Sequence, residues 1–67
     1  MALGYAVNTA ANQNWLDSCP AINSYRELDA DWIEFEFNPQ IEVSIVPRNI
    51  FFNADSVEHA GTLIDGQ

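Results

Sequence analysis

The sequence predicts an α+β fold: a small antiparallel sheet with one main helix packed on its apolar face. Two observations carry that expectation. Residues 32–46 alternate apolar with acidic or polar side chains on both sides of Asn38-Pro39, the pattern of a β-hairpin with one buried and one acidic face. Residues 9–18 instead repeat apolar side chains at helical spacing. A chain of 67 residues has room for a single core between two such layers, so one domain spanning 1–67 is expected.

In chain order, Leu3 to Val7 reads as a short first strand that Gly4 weakens. Asn8 and Thr9 are N-cap residues by type. Val7, Ala11 and Trp15 then recur at i, i+4 and i+8 with Leu16 beside them, which places Asn12, Gln13, Asn14 and Asp17 toward water. Pro20 ends that helix near Ser18. Ser24-Tyr25-Arg26-Glu27 has the form of a capping box and predicts a short helical turn from Tyr25 to about Ala30. In the central hairpin, Ile33, Phe35 and Phe37 point one way, while Trp32, Glu34 and Glu36 point the other. Ile41, Val43 and Ile45 supply the second arm up to Pro47. Ile50 to Asn53 reads as a third strand. Asp55 and Glu58 mark a very short helix stopped by Gly61, with Thr62 to Ile64 returning as a strand end.

Charge is the most informative bulk property. Ten acids face two arginines and no lysine, a net charge of −8. A field of one sign repels nucleic acid and anionic membrane and attracts basic protein surfaces. Two arginines cannot neutralise a nucleic-acid backbone, so direct binding of DNA or RNA is not expected. Nothing approaches the ~20 apolar residues of a membrane span. The single cysteine, Cys19, excludes an internal disulfide and fits a reducing, cytoplasmic setting.

Catalytic chemistry is not predicted. The one histidine, His59, has no cysteine or nucleophile elbow near it in sequence, and Ser56 stands in no oxyanion loop. Asp29 and Asp31 begin like a calcium loop, but Glu34 occupies the position that needs glycine and Gln40 the position of the bidentate glutamate. No cofactor and no metal are expected.

The acids are concentrated instead. Asp29, Asp31, Glu34, Glu36 and Glu42 fall within residues 29–42, which contain no base. Glu34 and Glu36 form a row ~6.5–7 Å apart on one strand face, and a paired neighbour would bring Glu42 to ~4.8 Å. Such like-charge contacts cost up to ~1 kcal/mol each. Trp32 on the same face adds an amphipathic anchor of the kind enriched at binding hot spots. The expected partner-binding set is therefore Asp29, Asp31, Trp32, Glu34, Glu36 and Glu42.

In size, charge, absence of lysine and this acidic hairpin, the chain resembles the small acidic inhibitors of phages and mobile elements, among them DNA-mimic and anti-CRISPR proteins. The resemblance spans the composition of the whole chain and rests on no motif. It implies an inhibitor that competes with DNA for the basic surface of a host nuclease or CRISPR-Cas complex, in the host cytoplasm if the chain is phage-encoded. The alternative is a small phage or accessory assembly protein that binds through apolar surface. Trp15, Ile50, Phe51 and Phe52 would supply that surface, and a homodimer would bury it.

Overall fold

The computed structural model describes residues 2–65. Along the chain run β1 (Ala2–Val7), α1 (Ala10–Ser18), β2 (Ile22–Glu27), β3 (Trp32–Phe37), β4 (Ile50–Phe52) and α2 (Val57–Asp65). The strands form one four-stranded sheet in the order β2-β3-β1-β4, with every neighbouring pair antiparallel. The α+β fold with a small antiparallel sheet and a packed helix is thus present.

The connections explain the order. β1 and β2 both run antiparallel to β3, so α1 crosses from one side of β3 to the other. β3 and β4 both run antiparallel to β1, so residues 38–49 make a second crossover. Interleaved crossovers of this kind define the split β-α-β arrangement. Here an irregular loop replaces the second crossing helix.

β3 lies inside the sheet, and its alternation settles the two faces. Ile33, Phe35 and Phe37 are buried with Ala6, Leu16 and Ile50 on the α1 side. Phe35, Phe37 and Phe52 stack edge-on or tilted, with ring centres 4.7 to 5.9 Å apart. The other face carries a smaller cluster in which Tyr5, Ala54 and Ala60 are buried against Leu28, Trp32, Phe51 and Val57. α2 covers that side, so the sheet has a helix on each face rather than on one.

Several expected elements take another form. The second arm of the hairpin does not pair. β3 already has β1 on one side and β2 on the other, and no ladder position is left for Ile41–Val46. The expected helical turn at 25–30 is instead strand β2 and a tight turn. Asp29 Oδ1 accepts the backbone N–H groups of Asp31 and Trp32 at 2.8 and 2.9 Å and closes that turn. α2 continues through Gly61 and takes in Thr62–Ile64 as helix. Its first turn is capped by Ser56 Oγ, which accepts from His59 N at 3.0 Å. Asp55 instead faces the His59 ring at 3.1 Å.

α1 begins where expected, with Thr9 Oγ1 accepting from Asn12 N at 3.1 Å. It is rotated from the expected facing: Asn12 and Leu16 are buried and Ala11 is exposed. The Asn12 amide donates to the Val7 carbonyl at 2.8 Å, which makes burying it affordable. Asn49 and Asn53 bracket β4 with φ of 64° and 63°, left-handed backbone that asparagine tolerates better than most residues. Among the described residues, no helix is long and apolar enough to cross a membrane.

Candidate acidic binding face

The acids of this chain sit on strand faces, turns and helix surfaces, and none of the described ones is buried. Asp29 and Asp31 occupy the β2–β3 turn and are exposed, although Asp29 also spends one oxygen on closing that turn. Glu27, at the end of β2, accepts from Asn8 Nδ2 at 2.9 Å and lies beside them in sequence. The turn end therefore presents three carboxylates with no cation paired to any of them among the described residues.

Glu34 and Glu36 project from the same face of β3, half-buried. Register places Tyr5 and Arg26 on either side of Glu34, and Leu3 and Ser24 on either side of Glu36. Tyr5 Oη donates to Glu34 Oε2 at 2.8 Å and Arg26 Nε donates to Glu34 Oε1 at 2.9 Å. The Tyr5 hydrogen bond first, and the Arg26 hydrogen bond second, hold the Glu34 carboxyl below the ordinary glutamate value. The same bond to Glu34, followed by burial, pushes the Tyr5 phenol above its ordinary value. Glu34 is thus compensated within the fold, while Glu36 has no such partner among the described side chains.

Trp32 does not stand free as an anchor. Its ring packs 6.4 Å from Phe51 and joins Leu28 and Val57 beneath α2, leaving it half-buried. Glu42 is on the other side of the sheet. It lines a cleft with Trp15, Ser18, Cys19 and Ile45 at the C-terminal end of α1, so it does not extend the Glu34–Glu36 row. Of the expected set, the fold therefore brings Glu34 and Glu36 together on one face, puts Asp29 and Asp31 at the end of the same hairpin, turns Trp32 inward and separates Glu42. Sequence reasoning did not single out Arg26 or Tyr5. Only the strand register brings them to Glu34, and Arg26 lies in a segment that reads as helix.

Among the described residues no three His, Cys, Asp or Glu side chains are grouped to hold a metal ion. No protein-family model, no curated protein and no solved structure matches the chain.

The Tyr5–Glu34 bond gives a pH signature. Glu34 titrates low, so its stabilisation is complete above the ordinary glutamate pKa of about 4.3 and is lost as pH falls through the lower folded value. Tyr5 titrates high, so its stabilisation is complete below about pH 10 and is lost as pH rises through the higher folded value. Tyr5→Phe is expected to cost about 1.5–3 kcal/mol at neutral pH, the worth of a hydrogen bond to a charged group. In urea titrations the gap to the parent should close at both the acid and the alkaline end. A gap that stays constant across the whole range would refute the assignment.

Proposed function

We propose that this chain is a non-catalytic inhibitor. Its acidic face takes the place of DNA on the basic nucleic-acid-binding surface of a host nuclease or CRISPR-Cas complex. The observation that carries the reading is the pairing of the acids. Nine acids have described side chains, and Glu34 alone is bridged to an arginine. The rest leave a negative field over the surface, which speeds encounter with a basic partner and discriminates against anionic ones.

The exposure and pairing of the acids support a centre at the hairpin end. Asp29 and Asp31 at the hairpin end and Glu36 on β3 are the expected contacts. Glu34 is secondary because Arg26 and Tyr5 already satisfy it. Glu42, on the opposite layer, is expected to be silent.

The test is capture from lysate on the immobilised chain at low salt, followed by a salt gradient and identification of what elutes. A basic nucleic-acid-binding protein should elute as the salt rises. The triple variant Asp29→Lys, Asp31→Lys, Glu36→Lys should lose it, and Glu42→Lys should retain it. A partner held through high salt and indifferent to the triple variant would overturn the reading.

A second reading, an assembly protein that binds through apolar surface, is favoured by one observation. Ile45 is 80% exposed, with Ile41 and Val46 also exposed beside it. The residues first expected to form such a surface do not: Ile50 is buried, and Trp15, Phe51 and Phe52 are half-buried in the two clusters.

A further inference from the structure

Residues 41–48 have the sequence of a strand and the surroundings of a loop. Ile41, Val43, Ile45 and Val46 are β-branched, a composition suited to a pleated, half-buried surface. No residue from 41 to 48 has a positive φ, and residues 42–47 between the bend at Ile41 and the turn at Arg48 are in neither helix nor turn. Between Glu42 and Val46 the Ile45 carbonyl accepts from Trp15 Nε1 at 3.2 Å, and no other backbone group bonds to a described residue. Unpaired backbone beside exposed apolar side chains is the template on which another strand adds.

We propose that this segment docks on the same segment of a second copy of the chain, antiparallel and centred on Ile45. The Trp15 bond fixes the register. In an antiparallel pair a residue directs both its N–H and its C=O to one side, and successive residues alternate. The Ile45 carbonyl is turned inward to Trp15, so an added strand meets Ile45 at a position without ladder bonds, and Ser44 and Val46 face outward to make them. A two-fold axis at Ile45 then pairs Ser44 with Val46, Val43 with Pro47, and Glu42 with Arg48 of the second copy. Pro47, which has no N–H, falls at a position where none is needed. Glu42 and Arg48 are both exposed and have no ion-pair partner among the described residues of their own chain.

Charge decides for a second copy over an unrelated strand. The chain carries −8, so two copies repel over most of their surface. Residues 41–48 contain one acid and one base, and no other charge. The segment is locally neutral, and its two charges stand equidistant from the proposed axis, as self-complementarity requires. It lies on the α1 side of the sheet, against Phe37 and Phe52, so the dimer leaves Glu36 on the opposite layer uncovered. The inference is independent of the acidic-face reading.

The experiment is sedimentation equilibrium of the purified full chain from micromolar to millimolar concentration. The parent should dimerise. Ile45→Glu, at an exposed position that should leave the fold intact by circular dichroism, should weaken the dimer about tenfold or more by setting two like charges opposite each other. Glu42→Arg and Arg48→Glu should each weaken it, and the double variant should restore it. Ile45→Cys in a Cys19→Ser background should cross-link on mild oxidation. A parent that stays monomeric throughout would overturn the proposal. So would a dimer indifferent to Ile45→Glu and to the charge swap, which would assign association to another surface such as the β2 edge.

Discussion

Gly4→Ala should cost about 3 kcal/mol, the upper range for forcing extra volume into a packed core. Gly4 pairs with Phe35 on one side and Phe52 on the other, and the Phe35 ring lies over it. An added Cβ would stand 2.6 Å from Phe35 Cε1, closer still to Cζ, and 2.7 Å from the Phe51 carbonyl oxygen. The ring cannot easily swing away, because Phe37 and Phe52 hold it at 5.9 and 5.4 Å. The carbonyl cannot move without displacing β4. A domain of this size has about 3–10 kcal/mol in total, so a loss of about 3 kcal/mol removes between a third and all of it, and the variant should unfold at a much lower urea concentration than the parent. Phe35→Leu removes the ring atoms but not the carbonyl, so it should relieve part of the clash. The double variant is expected to be more stable than the two separate losses predict by about 1 kcal/mol. Urea unfolding followed by circular dichroism measures all four proteins. A Gly4→Ala midpoint equal to that of the parent would show that the sheet yields there.

The same strand shows what the sequence makes legible. β3 was readable because its alternation records burial on one face, and burial is a property of each residue's own environment. Its partners were not, because alternation does not say which strand lies alongside. Ile41–Val46 has the better pattern, yet the places beside β3 go to β1 and β2. β2 (Ile22–Glu27) shows almost no apolar alternation because it is an exposed edge, held by its ladder to β3 and by the Asp29 turn. The candidate site divides in the same way. Exposure of Asp29, Asp31 and Glu42 follows from residue type alone. The compensation of Glu34 by Arg26 and Tyr5, and the separation of Glu42 from Glu36, depend on register and crossover path. Trp32 read as a surface anchor because nothing in the sequence announced that α2 would cover that face.

Asn12 reverses the expectation most sharply, and it carries the second large effect. Helical spacing places it toward water, but it is 4% exposed, and its amide holds the Val7 carbonyl at the corner between β1 and α1. Neighbouring amides continue the tie: Gln13 Nε2 donates to Asn8 Oδ1 at 2.7 Å, and Asn8 Nδ2 donates to Glu27 and to the Asp29 carbonyl at 2.9 and 3.1 Å. Asn12→Asp keeps the shape and exchanges the donor for an acceptor. At neutral pH it would set a buried carboxylate against a carbonyl oxygen, which should cost about 3 kcal/mol or more. Burial and that contact both favour the neutral acid, whose O–H can donate to Val7, so the new carboxyl should titrate above the ordinary aspartate value. A raised folded pKa gives stability that is complete below the unfolded pKa and lost as pH rises through the folded one. The variant should therefore be closest to the parent in acid and furthest from it at neutral pH, opposite to the acid loss expected from Glu34. Asn12→Leu fills the space but leaves the Val7 carbonyl with the Thr9 N–H at 2.9 Å as its remaining donor at every pH, and its deficit, about 0.5–1.5 kcal/mol for one neutral hydrogen bond, should not depend on pH. Parallel unfolding curves for Asn12→Asp and Asn12→Leu across the acid range would mean that the carboxylate escapes to solvent and that the Val7 contact does not hold the corner.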